Sequence, residues 1–462
     1  MINLKKNILA FIFILLISSI NAQEYSSLVD TKIGSKGDGL ACGYNFIGAT
    51  YPFGMVQFTP TFFSAQKGFV ITQLNGAGCS NLGNFPILPM SGLIEKSPND
   101  MNSFEKYEKV EIAKAGHLSL KMNDNIDVDL TVTKRSGIGK FSFDDSNYGT
   151  LIIGTGINSS PSENIKDAFV NITSDSSCEG YTRGGDFCGT ESDYKIYFAA
   201  EFDRPSTYNG TWKEKKLSTK KSSSGKNSGA YFTFDTDEID KINYRIAISF
   251  VSIENAKENL KNEEKHLTFD EYQQETSKEW DTYLSTIKIK SKNKDRIKQF
   301  YTHFYHSLIH PNIVSDVNGE YMGSDFKVHK TKENREQYSS FSVWDTYRTQ
   351  GQLIAMLFPK KSSDMMQSLV DFAEQAGGYG RWILANIETG IMQGDPTPIL
   401  ISNSFAFGGD DFDLENAYRY MKKGALIPRL YSQKQEIRPY LEEYINNGHT
   451  FASMSLEYAS AD

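Results

Sequence analysis

Cysteine, tryptophan and histidine are scarce in this 462-residue chain, at four, four and seven residues. No Cys-x-x-Cys spacing occurs, which excludes the common zinc-ribbon and thioredoxin-like frameworks. His303, His306 and His310 recur along one predicted helical face and read as structural residues, not ligands. Basic charge is also in short supply: 49 Lys and Arg stand against 57 Asp and Glu, a formal net charge of −8. Nucleic-acid binding needs clustered Lys and Arg to neutralise phosphates, so that class is excluded. The Lys-rich stretch 213–226 is interleaved with Ser and Gly and reads as a solvated loop. The longest uncharged apolar run, Ile8–Ile17, is too short to span a bilayer. A neutral, polar ligand suits this balance best.

That apolar run has a different use. Lys5 and Lys6 precede it, and Ser-Ser-Ile-Asn-Ala22 follows before Gln23. A basic start, a short apolar stretch and a small residue before the cut describe a secretory signal peptide cleaved after Ala22. Residue Ile20 is larger than usual for its place. The mature protein is expected to be periplasmic or secreted, where the even cysteine count permits disulfides. Cys178 and Cys188 flank a Gly-containing stretch that reads as a turn joining two strands. The pairing among Cys42, Cys79, Cys178 and Cys188 stays open, because four cysteines allow three full pairings.

What is abundant is aromatic: 30 Phe and 25 Tyr. Residues 23–255 carry short alternating or β-branched runs, such as His117–Met122, Ile126–Thr133, Tyr194–Phe202, Gly229–Thr236 and Tyr244–Val251. Gly, Asn, Asp and Ser clusters separate them, which predicts an antiparallel β-sandwich. Residues 256–293 turn polar and helix-forming, with Thr268-Phe-Asp-Glu271 spaced as a capping box. From 294 to 462 helical spacing dominates. Helices are predicted over Asp295–Leu308, Asp345–Leu357, Ser362–Gln375, Thr397–Phe407 and Leu414–Gly424, with another opening at Phe451. An Asn318-Gly319 hairpin signal interrupts them. About six helices at ordinary lengths fill this region, half of a twelve-helix toroid.

Three clusters stand out in the helical part: Phe341–Arg348 with Trp344 and Asp345, Tyr379–Trp382 with Arg381, and Gln393-Gly-Asp395. Each sets a ring or a tight turn beside a charged hydrogen-bonding group. An aromatic face covers the apolar side of a pyranose, while carboxylates and guanidinium groups bind its hydroxyls. Burial in a core, with Asp345 and Arg381 paired, is the competing explanation. Asp395, before Pro396, equally fits a helix N-cap.

In order and spacing these segments resemble glycoside hydrolase family 92. The resemblance rests on Val29–Gly34, Gly48–Pro60, Gly68–Ser80, Gly83–Pro86, Phe300–Pro311, Asp316–Gly319, Phe341–Arg348, Tyr379–Trp382, Met392–Pro396 and Ser455–Ala459. It covers nearly everything from Val29 to Asp462. What it implies is a β-sandwich joined by a helical linker to an (α/α)6 barrel, with the sugar site in the cleft between them. It also implies an exo-acting α-mannosidase on terminal α-1,2-linked mannose of high-mannose glycans, inverting and dependent on Ca2+. Inversion needs two carboxyl groups about 6.5–9.5 Å apart, with water between base and sugar. Trp344, Asp345, Arg381, Trp382 and Asp395 are the expected substrate-binding residues; the calcium ligands stay unassigned.

No residue of this chain matches the family's acid or base, and both are expected beyond Asp462. Glu388 and Glu457 are chemically possible acids that nothing singles out. The helical pattern opening at Phe451 ends without a stop signal, so the expectation is a truncated barrel and a chain inactive alone. Gln73 stands where many family members carry His, leaving the linkage open. Two other readings remain: another sandwich-plus-toroid glycosidase of glucoamylase or phosphorylase type, and a non-catalytic glycan-binding protein.

Overall fold

The computed structural model describes residues 24–462 except 37–42, 61–67, 80–81, 100, 102–106, 123–124, 145, 158–163, 191–192, 266, 393, 432–435 and 453–454. The signal-peptide reading, Cys42 and Gln393 lie outside the described residues.

Alternation decides the first half. His117–Met122 buries every second residue, and Leu118, Leu120 and Met122 are sealed against the core. Strands of this kind assemble two antiparallel sheets. One has eight strands and runs from Ala49–Thr50 through Ile87–Ser91 and Tyr148–Gly154 to Ser228–Asp235 and Tyr208–Lys213. The other has nine, with Asn164–Ser174, Ser177–Gly185, Asp193–Phe202 and Lys241–Ser249 side by side. Phe rings interlock between them: Phe202 of the second sheet lies 4.8 Å from Phe232 of the first. The predicted sandwich is present. The stretch read as a solvated loop instead contributes two short strands, Lys216–Ser218 and Ser222–Ser224.

Two helices fasten the sandwich to the rest of the chain. The first, α1 (Ile253–Asn262), starts on a Ser252 cap and packs on the nine-stranded sheet, where Asn259 donates to the Ile248 carbonyl. The second, α2 (Phe269–Leu284), carries the predicted capping box intact. Its Trp280 is fully buried and donates from Nε1 to the Thr50 carbonyl at 2.6 Å. Beyond it come α3 (Lys294–His306), α4 (Val343–Thr346), α5 (Gln350–Leu357), α6 (Pro359–Ala376), α7 (Thr397–Ala406), α8 (Leu414–Leu426), α9 (Leu441–Asn447) and α10 (Ser455–Ala461). A β-rich region is therefore followed by a helical one.

The helix expected over Asp345–Leu357 is broken between α4 and α5, where Thr349 leaves helical geometry. The three histidines do not share a face. Helix α3 ends at His306, and His310 lies beyond it, half-buried against Asn75 of the sandwich. Described residues contain no helix long and apolar enough to cross a membrane.

Candidate active site

A three-stranded sheet places the predicted site residues. Phe341–Ser342 pairs with Trp382–Leu384, and that strand pairs with Ile387–Glu388. Ser342 stands opposite Trp382, and the Val343 amide donates to the Arg381 carbonyl at 3.2 Å. The first two sequence clusters are thus direct neighbours, although 36 positions separate Asp345 from Arg381. The approach to Arg381 depends on glycine. Gly377 ends α6 in the left-handed region at φ 97°. A side chain on Gly380 would meet the Glu388 carboxylate at 2.6 Å.

The five residues differ in access. Trp344 is half-buried and Asp345 is exposed, its carboxylate accepting from the Ser342 hydroxyl. Arg348 lies 5.3 Å from the centres of both the Trp344 and Tyr347 rings, making an aromatic and cationic rim. Arg381 and Trp382 are buried. Arg381 donates to the Ile437 carbonyl at 3.2 Å, while its Nε is sealed with no partner. The expected competitor, an Asp345–Arg381 pair, is absent: the two groups bond elsewhere.

Asp395 is not the cap of the helix that follows it. Helix α7 begins at Thr397 with Pro396 before it and no side-chain cap. The Asp395 carboxylate instead accepts from Arg438 Nε at 2.6 Å, and Arg438 also donates to Asp462 at 2.7 Å. Burial raises the Asp395 pKa, and the Arg438 charge opposes that rise. The pair is largely buried, and it takes up the Asp395 Oδ2.

Glu388, which the sequence marks only as a chemically possible acid, is fully buried beside Arg381. Its carboxyl accepts from the amides of Arg381 at 2.8 Å, Trp382 at 3.4 Å and Gly390 at 2.9 Å. Burial pushes its pKa up to about 7, even against those amides and the Arg381 charge. It buttresses the Arg381–Trp382 backbone from behind. From in front, Phe187 of the sandwich lies 4.7 Å from the Trp382 ring. Arg438 and Phe187 carried no motif signal; the neighbouring Cys188 was the one hint for Phe187.

The disulfide joins Cys79 to Cys188, and Cys178 is a free, buried thiol. A Cys178–Cys188 turn is ruled out because Ser177–Gly185 is one extended strand, which carries Gly185 roughly 23 Å from Cys178 at strand rise before the chain turns. Among the described residues no three His, Cys, Asp or Glu side chains come together as a metal site. The groups present do not fit a calcium ion, and no chemistry is derived through one. Two cavities lie elsewhere. One of about 380 Å³ is lined by Glu201, Arg245 and Tyr272, and one of about 570 Å³ by Arg335, Glu336 and Lys361.

Comparison with protein families agrees with this layout. The glycosyl hydrolase family 92 N-terminal domain matches residues 28–249, and the glycosyl hydrolase family 92 catalytic domain matches residues 255–462. The chain belongs to glycosyl hydrolase family 92. Among solved structures, the family 92 alpha-mannosidase BT3965 from Bacteroides thetaiotaomicron is 24% identical with a TM-score of 0.84, over 95% of this chain and 62% of that one. The family 92 inverting mannosidase BT2199 from Bacteroides thetaiotaomicron VPI-5482 is 21% identical with a TM-score of 0.84, over 96% of this chain and 62% of that one. These likenesses show a shared fold. The family 92 chain spans about three fifths of those structures' length. No curated protein sequence matches it.

Proposed function

We propose that this family 92 chain serves an exported, inverting, exo-acting α-mannosidase that removes terminal α-1,2-linked mannose from high-mannose glycans. The observation that carries the reading is the junction of Trp344-Asp345 with Arg381-Trp382 across the Ser342–Trp382 pairing, within a chain matched by both family domains. One solved relative, BT3965, was crystallised with mannoimidazole, which supports a mannose-shaped ligand. In the reading, Trp344 covers the apolar face of the terminal sugar. Asp345 accepts from its hydroxyls, and Arg381 is the charged donor of the subsite. Trp382 closes the subsite from below.

Asp395 is held beside the subsite through Arg438, with its second carboxylate oxygen left for a sugar hydroxyl. The acid and base are assigned to none of the described residues. Glu388 is protonated for part of the population near neutrality, yet three amides and Arg381 enclose it, so it acts as a buttress. The helical region is read as helices of an (α/α)6 barrel. Calcium dependence belongs to the proposal on family grounds alone, its ligands being outside what these residues assemble. Export is supported by the Cys79–Cys188 disulfide, which suits an oxidising compartment.

The test is mannose release from an α-1,2-mannobioside, followed by proton NMR with and without a chelator. Early release of β-mannose, lost on chelation, is expected. Release of α-mannose overturns inversion, indifference to chelation overturns the calcium requirement, and hydrolysis of glucosides alone overturns the substrate. Asp345→Ala removes a charged hydrogen bond, about 1.5–3 kcal/mol. It should raise KM for the mannobioside about ten- to hundredfold.

A further inference from the structure

Phe187 occupies an unusual turn. It sits in the short 3-10 segment Phe187–Gly189, where Asp186, Cys188 and Gly189 have φ of 71°, 52° and 81°. Left-handed backbone costs a non-glycine residue about 1–2 kcal/mol, so something outside the turn must hold it. Two contacts do. Phe187 is buried with its ring against Trp382, and Cys188 is bonded to Cys79.

The far arm of that disulfide is itself anchored. Asn75 donates its amide to His310 Nε2 of the helical region at 3.1 Å, and its side chain accepts from the Phe46 amide at 3.3 Å. Gly76 donates to the Tyr44 carbonyl at 2.9 Å. The loop before Cys79 is therefore fixed to both halves of the molecule. Through the disulfide it fixes the turn that carries Phe187. Trp382 is then gripped from two sides, by Phe187 in front and by the Glu388-bound backbone behind.

We propose that the Cys79–Cys188 disulfide and Phe187 form a positioning clamp that sets Trp382, and with it Arg381, in the sugar subsite. The clamp rests on the sugar-site reading for its purpose, while its mechanical part stands on these contacts alone. Phe187 is a positioning residue: it acts through Trp382. Loosening it should displace the Arg381–Trp382 segment by a fraction of a turn, enough to weaken ligand binding about tenfold or more.

The experiment compares the parent with Phe187→Ala, Phe187→Leu and the double variant Cys79→Ala/Cys188→Ala. Hydrogen exchange is measured over residues 381–384 and, as a reference, over strand Ile126–Val132. Mannoimidazole binding is measured by calorimetry. In Phe187→Ala and in the double variant, exchange over 381–384 should rise by a larger factor than in the reference strand, and mannoimidazole should bind about tenfold more weakly. Phe187→Leu keeps apolar bulk and should restore most of both. Equal rises in the two segments, or unchanged exchange over 381–384, overturn the clamp, because removal of Phe187 then acts on general stability alone. If exchange responds as expected but the parent fails to bind mannoimidazole, the clamp stands and the sugar-site reading falls.

Discussion

Asp395 and Glu388 show how two acidic residues in one motif region take opposite electrostatic solutions. Asp395 is paired with Arg438, whose side chain is 1% exposed. Removing one partner of a buried pair strands the other, at about 3–5 kcal/mol. Asp462 still holds Arg438, so Asp395→Ala should cost near the lower end, about 3 kcal/mol, in urea unfolding. Asp395→Asn, which keeps an acceptor, should cost clearly less; equal losses would show that Arg438 does not depend on the Asp395 oxygen. Glu388 is fully buried, and burial outweighs the neighbouring Arg381 charge, so it holds its proton to about pH 7, against an ordinary value of 4.5. A pKa raised on folding stabilises the fold fully below 4.5 and loses that contribution as pH rises through 7. Stability of the parent should therefore decline more steeply between pH 4.5 and 7 than that of Glu388→Gln, read from urea midpoints at intervals across the window. Matching slopes would remove Glu388 as the titrating group.

At the scale of elements, the caps and seams of the linker decide how the sandwich meets the helices. Thr268 accepts from the Glu271 amide while Glu271 reaches back to the Thr268 amide at 2.8 Å. Thr268→Ala removes the hydroxyl half of that exchange and should cost about 1 kcal/mol, a modest fall in thermal midpoint. Trp280→Phe should cost more, about 1–3 kcal/mol, because it leaves the Thr50 carbonyl buried without the indole N–H. A Trp280→Phe loss no larger than that of Thr268→Ala would show the indole bond to be replaceable.

Elements like these were legible from the chain because their signals are local. A Thr-x-x-Glu spacing or an alternating run such as Leu118, Leu120, Met122 specifies its own geometry. The break between α4 and α5 was not legible: no Gly or Pro stands at Thr349, which leaves helical geometry. Strands of two or three residues, such as Ile387–Glu388, are set by partners distant in sequence and carry no periodicity of their own. The site was legible to the same extent. The adjacency of Trp344 and Arg381 followed from family motifs, whereas the Arg438 partner of Asp395 and the Phe187 contact arise only on folding.

The whole molecule behaves as one packed body because its principal core does not stop at the linker. A single buried cluster runs from Val29 and Phe58 through Trp280 and Tyr305 to Trp382 and Ile437. Backbone bonds cross the seam as well: the Phe53 amide donates to the Leu308 carbonyl at 2.9 Å, and the Ile313 amide returns to the Phe53 carbonyl at 3.0 Å. Arg135 of the sandwich donates to the Ser315 carbonyl at 2.9 Å. His310 sits in this seam, with burial depressing its pKa to about 4, and His306 is depressed to about 4 for the same reason. A histidine lowered on folding contributes stability that is present above its ordinary value near 6.5 and is lost as pH falls through 4. Protonated His310 could no longer accept from the Asn75 amide, so acid should weaken the joint between the halves in particular. His310→Gln removes the titration while keeping a hydrogen-bonding side chain. Its thermal midpoint should start lower at about pH 7.5 but fall less between pH 6.5 and 4 than that of the parent. The two halves are expected to melt together near neutrality, followed by hydrogen exchange in strand Ile126–Val132 and in helix α6. Separate transitions there would show that the shared core does not couple them, and identical pH slopes in the two proteins would clear His310 of the acid sensitivity.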